Sequence, residues 1–270
     1  MPEMKRQYQD QEMPLLDHLE ELRTRIIHSL IGLIIGMAIS LVFSKRILDL
    51  LLIPTTRIDA PLHLQVLKVQ GMFMVTLEIA FFGGIVLSLP YILYQIWLFI
   101  APGLLEHERR YFPRLIFSAT TLFLVGVAFS YFVVLPFALN FFIGLAPPEI
   151  KPNIAIDFYI GFAIRMLVIF GIIFELPVLS YFLSKIGILT PEIMRRYRRH
   201  AIVVIFISAA ILTPPDIMTQ VLLAIPLVLL YELSIWISGI VVRGKKAAAE
   251  AEANAADPPQ ESSQEENSST

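Results

Sequence analysis

Residues 72–100 read MFMVTLEIAFFGGIVLSLPYILYQIWLFI. A helix needs about 20 mainly apolar residues to cross a bilayer core about 30 Å thick. This run exceeds that length, so it must tilt, kink or protrude. Pro90 is the natural place for a kink, because proline removes one backbone donor. Outward from this stretch, further apolar runs occupy about 26–43, 115–135 and 158–183, and two more lie at 201–212 and 217–242. Composition agrees. The 270-residue chain is 56% hydrophobic and 16% charged, against about 25% charged in soluble domains. Its mean hydropathy is +0.71. The chain therefore reads as an all-α polytopic membrane protein.

The run at 201–212 is short, spanning roughly 18 Å as a helix, and the last run is interrupted by Pro226 and Glu232. A re-entrant hairpin fits this pattern. So do two short helices crossing a locally thinned bilayer, which is the expected arrangement. With six crossings, fifteen Lys and Arg fall on one side and five on the other, leaving Arg165 inside the fourth span. The positive-inside rule then puts both termini in the cytoplasm. Three regions follow: a cytoplasmic N-terminal segment at 1–25, a six-helix transmembrane domain at 26–243, and a cytoplasmic tail at 244–270. The first 25 residues carry acids and no apolar core, so they do not read as a cleaved signal peptide. From Ala247 onward the tail has six acids and no base. Its Ala, Glu, Ser, Gln and Pro bury too little apolar surface to fold, so it is expected to be disordered.

The first outer loop opens with SKRILDLLLIP at 44–54, which suits a short interfacial helix stopped before Pro54. HLQVLKV at 63–69 alternates and reads as extended. With the Pro-rich loop at 140–157, these segments either cap the outer face or run as ordinary solvated connections.

The chain has no cysteine, so it has no disulfide, thiolate metal site or thiol nucleophile. It has no HExxH, GxSxG or Walker pattern. The residues call for no enzyme, no metal and no cofactor. What remains is charge in unusual places. DHLEELRTR at 17–25 offers a Glu21–Arg25 pair at i,i+4, or carboxylates that capture a cation. APGLLEHERRYF at 101–112 sets Glu106 and Glu108 among arginines, either as a solvated loop or as a site discriminating Arg from Lys by bidentate geometry. FGIIFELPVLSYF at 170–182 places Glu175 near mid-bilayer. An intramembrane carboxylate is costly unless protonated, paired or hydrated, so it marks a functional candidate. Arg165 lies about 15 Å along the helix from it, too far for a direct partner. A proton-coupled solute transporter would predict an inverted repeat, and the two halves differ in length and motifs. A passive scaffold would tolerate loss of Glu21 and Glu108.

Several blocks, in order, resemble the TatC family, the core subunit of the twin-arginine protein translocase. They are HLEELRTR (18–25), LPYILYQIWLFIAPGLLEHERR (89–110), FSYFVVLPFALNFF (129–142), FELPV (174–178), TPEIMRRYRRH (190–200) and TPPDIMTQVLLAIPLVLLYE (213–232). The resemblance spans roughly 13–243. It implies a concave, receptor-like bundle with an outer-loop cap in a bacterial inner membrane. Such a subunit binds twin-arginine signal peptides of folded proteins. With single-span partners of the TatA and TatB type, and with self-association in the complex, it drives export by the proton-motive force. It implies no nucleic-acid partner. Residue by residue, the resemblance assigns Glu21 and Glu108 to the signal's paired arginines, with Arg23 and Phe99 beside them. It assigns Glu175 to an intramembrane polar contact. Pro54, Tyr131 and Asp216 match functional positions on the outer side.

Overall fold

The computed structural model describes residues 15–56, 63–103, 109–110, 112–145, 147, 153–212 and 217–256. Helix α1 (Leu15–Val42) is followed by the short α2 (Ser44–Leu52) and a 3-10 turn (Ile53–Thr56). Strand β1 (His63–Gln65) leads into α3 (Gly71–Ile100), which keeps Pro90 in its interior. Helix α4 (Phe112–Phe129) passes through a π-turn (Ser130–Val134) into α5 (Leu135–Gly144). Strand β2 (Asn153–Ala155) opens α6 (Ile156–Phe174), and α7 (Leu176–Lys185) follows after Glu175. The chain ends with α8 (Pro191–Arg196), α9 (Arg198–Leu212) and α10 (Ile217–Ala256).

Among the described residues, five helical stretches are long and apolar enough to cross a membrane: Asp17–Val42, Gly71–Ile100, Phe112–Gly144, Ile156–Lys185 and Leu223–Ala247. They leave large apolar side chains uncovered, among them Ile34 at 63%, Phe117 at 75% and Trp236 at 66% exposure. In water such a surface would be an aggregation hazard. Against lipid tails it is the expected exterior, and helices then associate through close packing and hydrogen bonds.

Two compact units divide at Glu175. In the first, residues 1–175, α1 lies against α3 at the backbone level. A Cβ added at Gly36 would stand 2.8 Å from the carbonyl oxygen of Gly84 and 3.2 Å from its Cα. The core joins Val75 and Ile79 of α3, Leu135 and Leu139 of α5, and Ile160, Ala163 and Leu167 of α6, with Leu51 of α2 among them.

That last member decides the role of the loop at 44–70. Helix α2 turns Ile47, Leu48 and Leu51 inward and leaves Lys45, Arg46 and Asp49 exposed. A helix's last carbonyls lack intrahelical donors. Here Tyr131 donates its hydroxyl to the carbonyl of Leu50 at 2.7 Å, and Tyr159 donates to that of Leu51 at 2.6 Å. Strands β1 and β2 then pair in parallel, His63 opposite Asn153 and Gln65 opposite Ala155. Within this unit α2 packs into the core and the β1–β2 pairing ties the two loops together. Tyr159→Phe is expected to cost about 1–2 kcal/mol, because a buried carbonyl loses its donor with little change of shape. Thermal unfolding in detergent checks it, and an unchanged midpoint would refute the capping role.

In the second unit, residues 176–270, α7 and α10 are joined by four buried serines at i,i+4 spacing. Ser184 and Ser238 share a hydrogen bond at 2.7 Å, and Ser180 donates to the carbonyl of Ser234 at 3.3 Å. Small residues let two helices approach, and their hydroxyls bond across the seam. The matched order, 180 with 234 and 184 with 238, means that α7 and α10 run parallel. Helix α8 starts at Pro191 after the N-cap Thr190, whose side chain accepts from the Ile193 N–H. Tyr231 of α10 donates to the carbonyl of Met194 at 2.8 Å.

Two expectations are corrected. Helix α9 is short as read, about 22 Å for its 15 residues, but α10 is not. It runs unbroken for 40 residues, from Ile217 to Ala256, through Pro226 and Glu232. Glu232 finds Arg198 as an ion-pair partner, so it does not interrupt the helix. The tail expected to be disordered from 244 is helical to Ala256. Its stretch AAAEAEANAA is rich in the strongest helix former, which outweighs the lack of an apolar face over these turns. Residues 257–270 lie outside the described residues.

Candidate functional site

Glu21 and Arg25 lie one turn apart on α1, and Arg25 Nη2 donates to Glu21 Oε1 at 3.0 Å. Both are partly shielded, at 29% exposure for the Arg25 side chain and 19% for that of Glu21. Across the seam, the buried Gln95 of α3 accepts from Arg25 Nη1 at 3.5 Å. One turn further along α3, Phe99 stacks on His18 of α1, with ring centroids 4.4 Å apart. Between the two helices lies a cavity of about 310 Å³. Leu22, Ile26, Ile92, Ile96 and Phe99 wall it with carbon, and Arg25 contributes its stem.

The structure thus brings Glu21 and Phe99 together. Arg23 does not join them. It is exposed, and at 100° per residue it projects from the opposite side of α1 to Glu21 and Arg25. Glu108 and Asp216 lie outside the described residues.

Glu175 occupies the break between α6 and α7. Pro177 has no N–H to continue the helix, and the Glu175 N–H bonds back to the carbonyl of Ile172 at 3.1 Å. Its Oε1 is buried and has no hydrogen-bond partner among the described residues. The carboxyl therefore makes no bond to the local backbone through that atom. Pro54 is buried in the 3-10 turn after α2, and Tyr131 caps α2. Both are explained by holding the loop that begins with α2 in place.

The reading of the sequence missed a second intramembrane carboxylate. Glu78 of α3 and Arg165 of α6 meet over Gly161. A Cβ there would stand 3.3 Å from Glu78 Oε2 and 3.5 Å from Arg165 Nη2. Arg165 also donates from Nε to the carbonyl of Gly161 at 2.9 Å. The companion of Arg165 is thus on another helix. The signal for it was the lone acid in the second span. No group of three or more His, Cys, Asp or Glu among the described residues is placed to hold a metal.

The family described as Sec-independent protein translocase protein (TatC) matches residues 17–226. The TatC of Aquifex aeolicus is 41% identical over 236 residues, covering 87% of this chain and 98% of that relative. The TatC of Carboxydothermus hydrogenoformans is 41% identical over 234 residues, covering 86% and 96%. A crystal structure of the twin arginine translocase receptor TatC superposes with a TM-score of 0.75 at 41% identity, covering 82% of this chain and 97% of the other. The match runs through α1, α3 and the Glu175 break alike. The chain is a multi-pass membrane protein that belongs to the TatC family of Sec-independent protein translocases.

Proposed function

We propose that this chain recognises the twin-arginine signal peptides of folded proteins at the α1–α3 end that carries Glu21. It then works with single-span TatA- and TatB-type partners in proton-motive-force-driven export across a bacterial inner membrane. The observation that carries this reading is a partly shielded carboxylate, Glu21, paired with Arg25, whose side chain lines an apolar cavity together with Phe99. A peptide with a guanidinium followed by apolar residues fits both parts. The carboxylate takes the guanidinium through charge-assisted hydrogen bonds, and the cavity takes the apolar flank. Glu108, which follows α3 in sequence, is proposed as a second acceptor.

Orientation is supported by two features. The basic residues concentrate at the ends of the spans that share a side with Arg23 and Arg25. The parallel run of α7 and α10 requires α8 and α9 to return the chain to the level where α7 began. That favours a sixth crossing over a re-entrant loop, with both termini cytoplasmic. Glu175 is proposed to meet a polar group of a partner helix, which would satisfy its buried oxygen.

The test is a titration of the purified chain in nanodiscs with an Arg-Arg signal peptide and its Lys-Lys counterpart. Preference for Arg-Arg by about tenfold or more is expected, since Lys cannot reproduce the bidentate fork. Equal affinities would overturn the assignment.

A further inference from the structure

The guanidinium of Arg25 already sits where a ligand's guanidinium would bind. It gives Glu21 one hydrogen bond at 3.0 Å, to a single carboxylate oxygen. It gives Gln95 another, at the long distance of 3.5 Å. Its Nε is buried and finds no acceptor among the described residues. Arginine carries five donors in a planar fork suited to bidentate pairing. Arg25 uses that fork poorly here, and a buried unpaired donor is costly. Its stem meanwhile forms part of the wall of the apolar cavity. The side chain is held firmly enough to occupy Glu21 and loosely enough to be replaced.

We propose that Arg25 is a built-in competitor for the signal peptide, so that binding exchanges one guanidinium for another on Glu21. This rests on the reading that Glu21 accepts a cation from the peptide. In the free chain Arg25 closes the site. An arriving arginine takes the carboxylate in a better geometry, and the Arg25 guanidinium swings clear of Glu21 while its stem stays on the cavity wall. The closed state is independent of which ligand is present. It therefore lowers the apparent affinity for every cationic peptide by the same factor, the inverse of the fraction of chains that are open. The preference for Arg over Lys comes from Glu21 itself and is untouched by Arg25.

These statements separate cleanly in one experiment on the full chain in nanodiscs. Three signal peptides are titrated that differ only in the pair, Arg-Arg, Lys-Lys or Gln-Gln, against the wild type and Arg25→Met. Methionine keeps an unbranched apolar stem on the cavity wall and removes the competing charge. Arg-Arg and Lys-Lys are both expected to tighten by the same factor, about two- to threefold for a partly shielded i,i+4 pair. Their ratio stays fixed, and Gln-Gln is unchanged. The factor should persist at about 0.5 M salt, where long-range charge effects fade. Gln95→Met, which alters no charge, should give a smaller gain of the same sign by releasing the second anchor of Arg25.

Weaker binding of Arg-Arg by Arg25→Met would overturn the proposal, making Arg25 a direct contact or a support for Glu21. A gain shared by Gln-Gln would overturn it too, by showing that only the cavity had opened. So would a gain that vanishes with salt, or no gain in Gln95→Met. Absence of any Arg-Arg preference in the wild type is a different failure, which sinks the recognition site and not the competition.

Discussion

Replacing Glu21 with glutamine is expected to weaken binding of an Arg-Arg signal peptide by about ten- to a hundredfold. Hydrogen bonds to a charged partner contribute about 1.5–3 kcal/mol. The amide keeps the shape of the carboxylate but offers one acceptor oxygen and no charge, so the bidentate fork is lost. Stability should hardly change. Arg25 loses its partner at 3.0 Å, but an i,i+4 pair with partial exposure contributes only a few tenths of a kcal/mol. Part of the loss is offset, because the same change frees the site from Arg25. Peptide titration beside a thermal melt checks both statements. An affinity within twofold of wild type, with an unaltered melt, would mean that the peptide's arginines bind elsewhere.

Gly36→Val is expected to destabilise the first unit by about 2–3 kcal/mol and to weaken peptide binding with it. The two obstacles are the backbone oxygen and Cα of Gly84, 2.8 and 3.2 Å from the new Cβ. Backbone cannot rotate away as a side chain can, so the cost falls in the upper part of the range for overpacking. The relief available is separation of α1 from α3. That pulls Glu21 and Arg25 away from Gln95 and Phe99, so a substitution in the span is felt at the site. Gly144→Ala is the control. Nothing lies within 4 Å of its Cβ position, and its melt should match the wild type. If Gly36→Val also melts like the wild type, α1 and α3 are not in contact at this point.

The loop at 44–70 shows where sequence reading stops. The amphipathic turn at 44–52 and the stop before Pro54 are local patterns, and both were legible. Whether the loop was packed or merely solvated was left open. The answer depends on Tyr131 and Tyr159, whose hydroxyls reach Leu50 and Leu51 across 81 and 108 positions. Tyr131 had a place in a motif before it had a reason. Its reason is a second hydrogen bond to the Leu50 carbonyl at the end of α2, which also accepts from the Ile53 N–H. Glu232 taught the converse. Read along the chain it looked like an interruption, and read in space it is the partner of Arg198.

The candidate site was half legible. Glu21 and Phe99 were marked by their motifs, and the structure sets them on facing helices. Arg23 was marked with them, yet the helical rotation that unites Glu21 with Arg25 turns Arg23 away. Gln95 carried no signal at all, since a lone glutamine in an apolar run means little until the group it accepts from is known.

By itself the sequence determined the membrane class and the positions of the long helices, because hydropathy acts locally along the chain. The tertiary structure alone decided the partners. It set Glu78 beside Arg165 over Gly161, matched the serines of α7 and α10, stacked His18 on Phe99 and joined Arg25 to Glu21 and Gln95. The physical reason is that in lipid the apolar surface favours no particular neighbour, so close contacts and hydrogen bonds between distant residues select the packing.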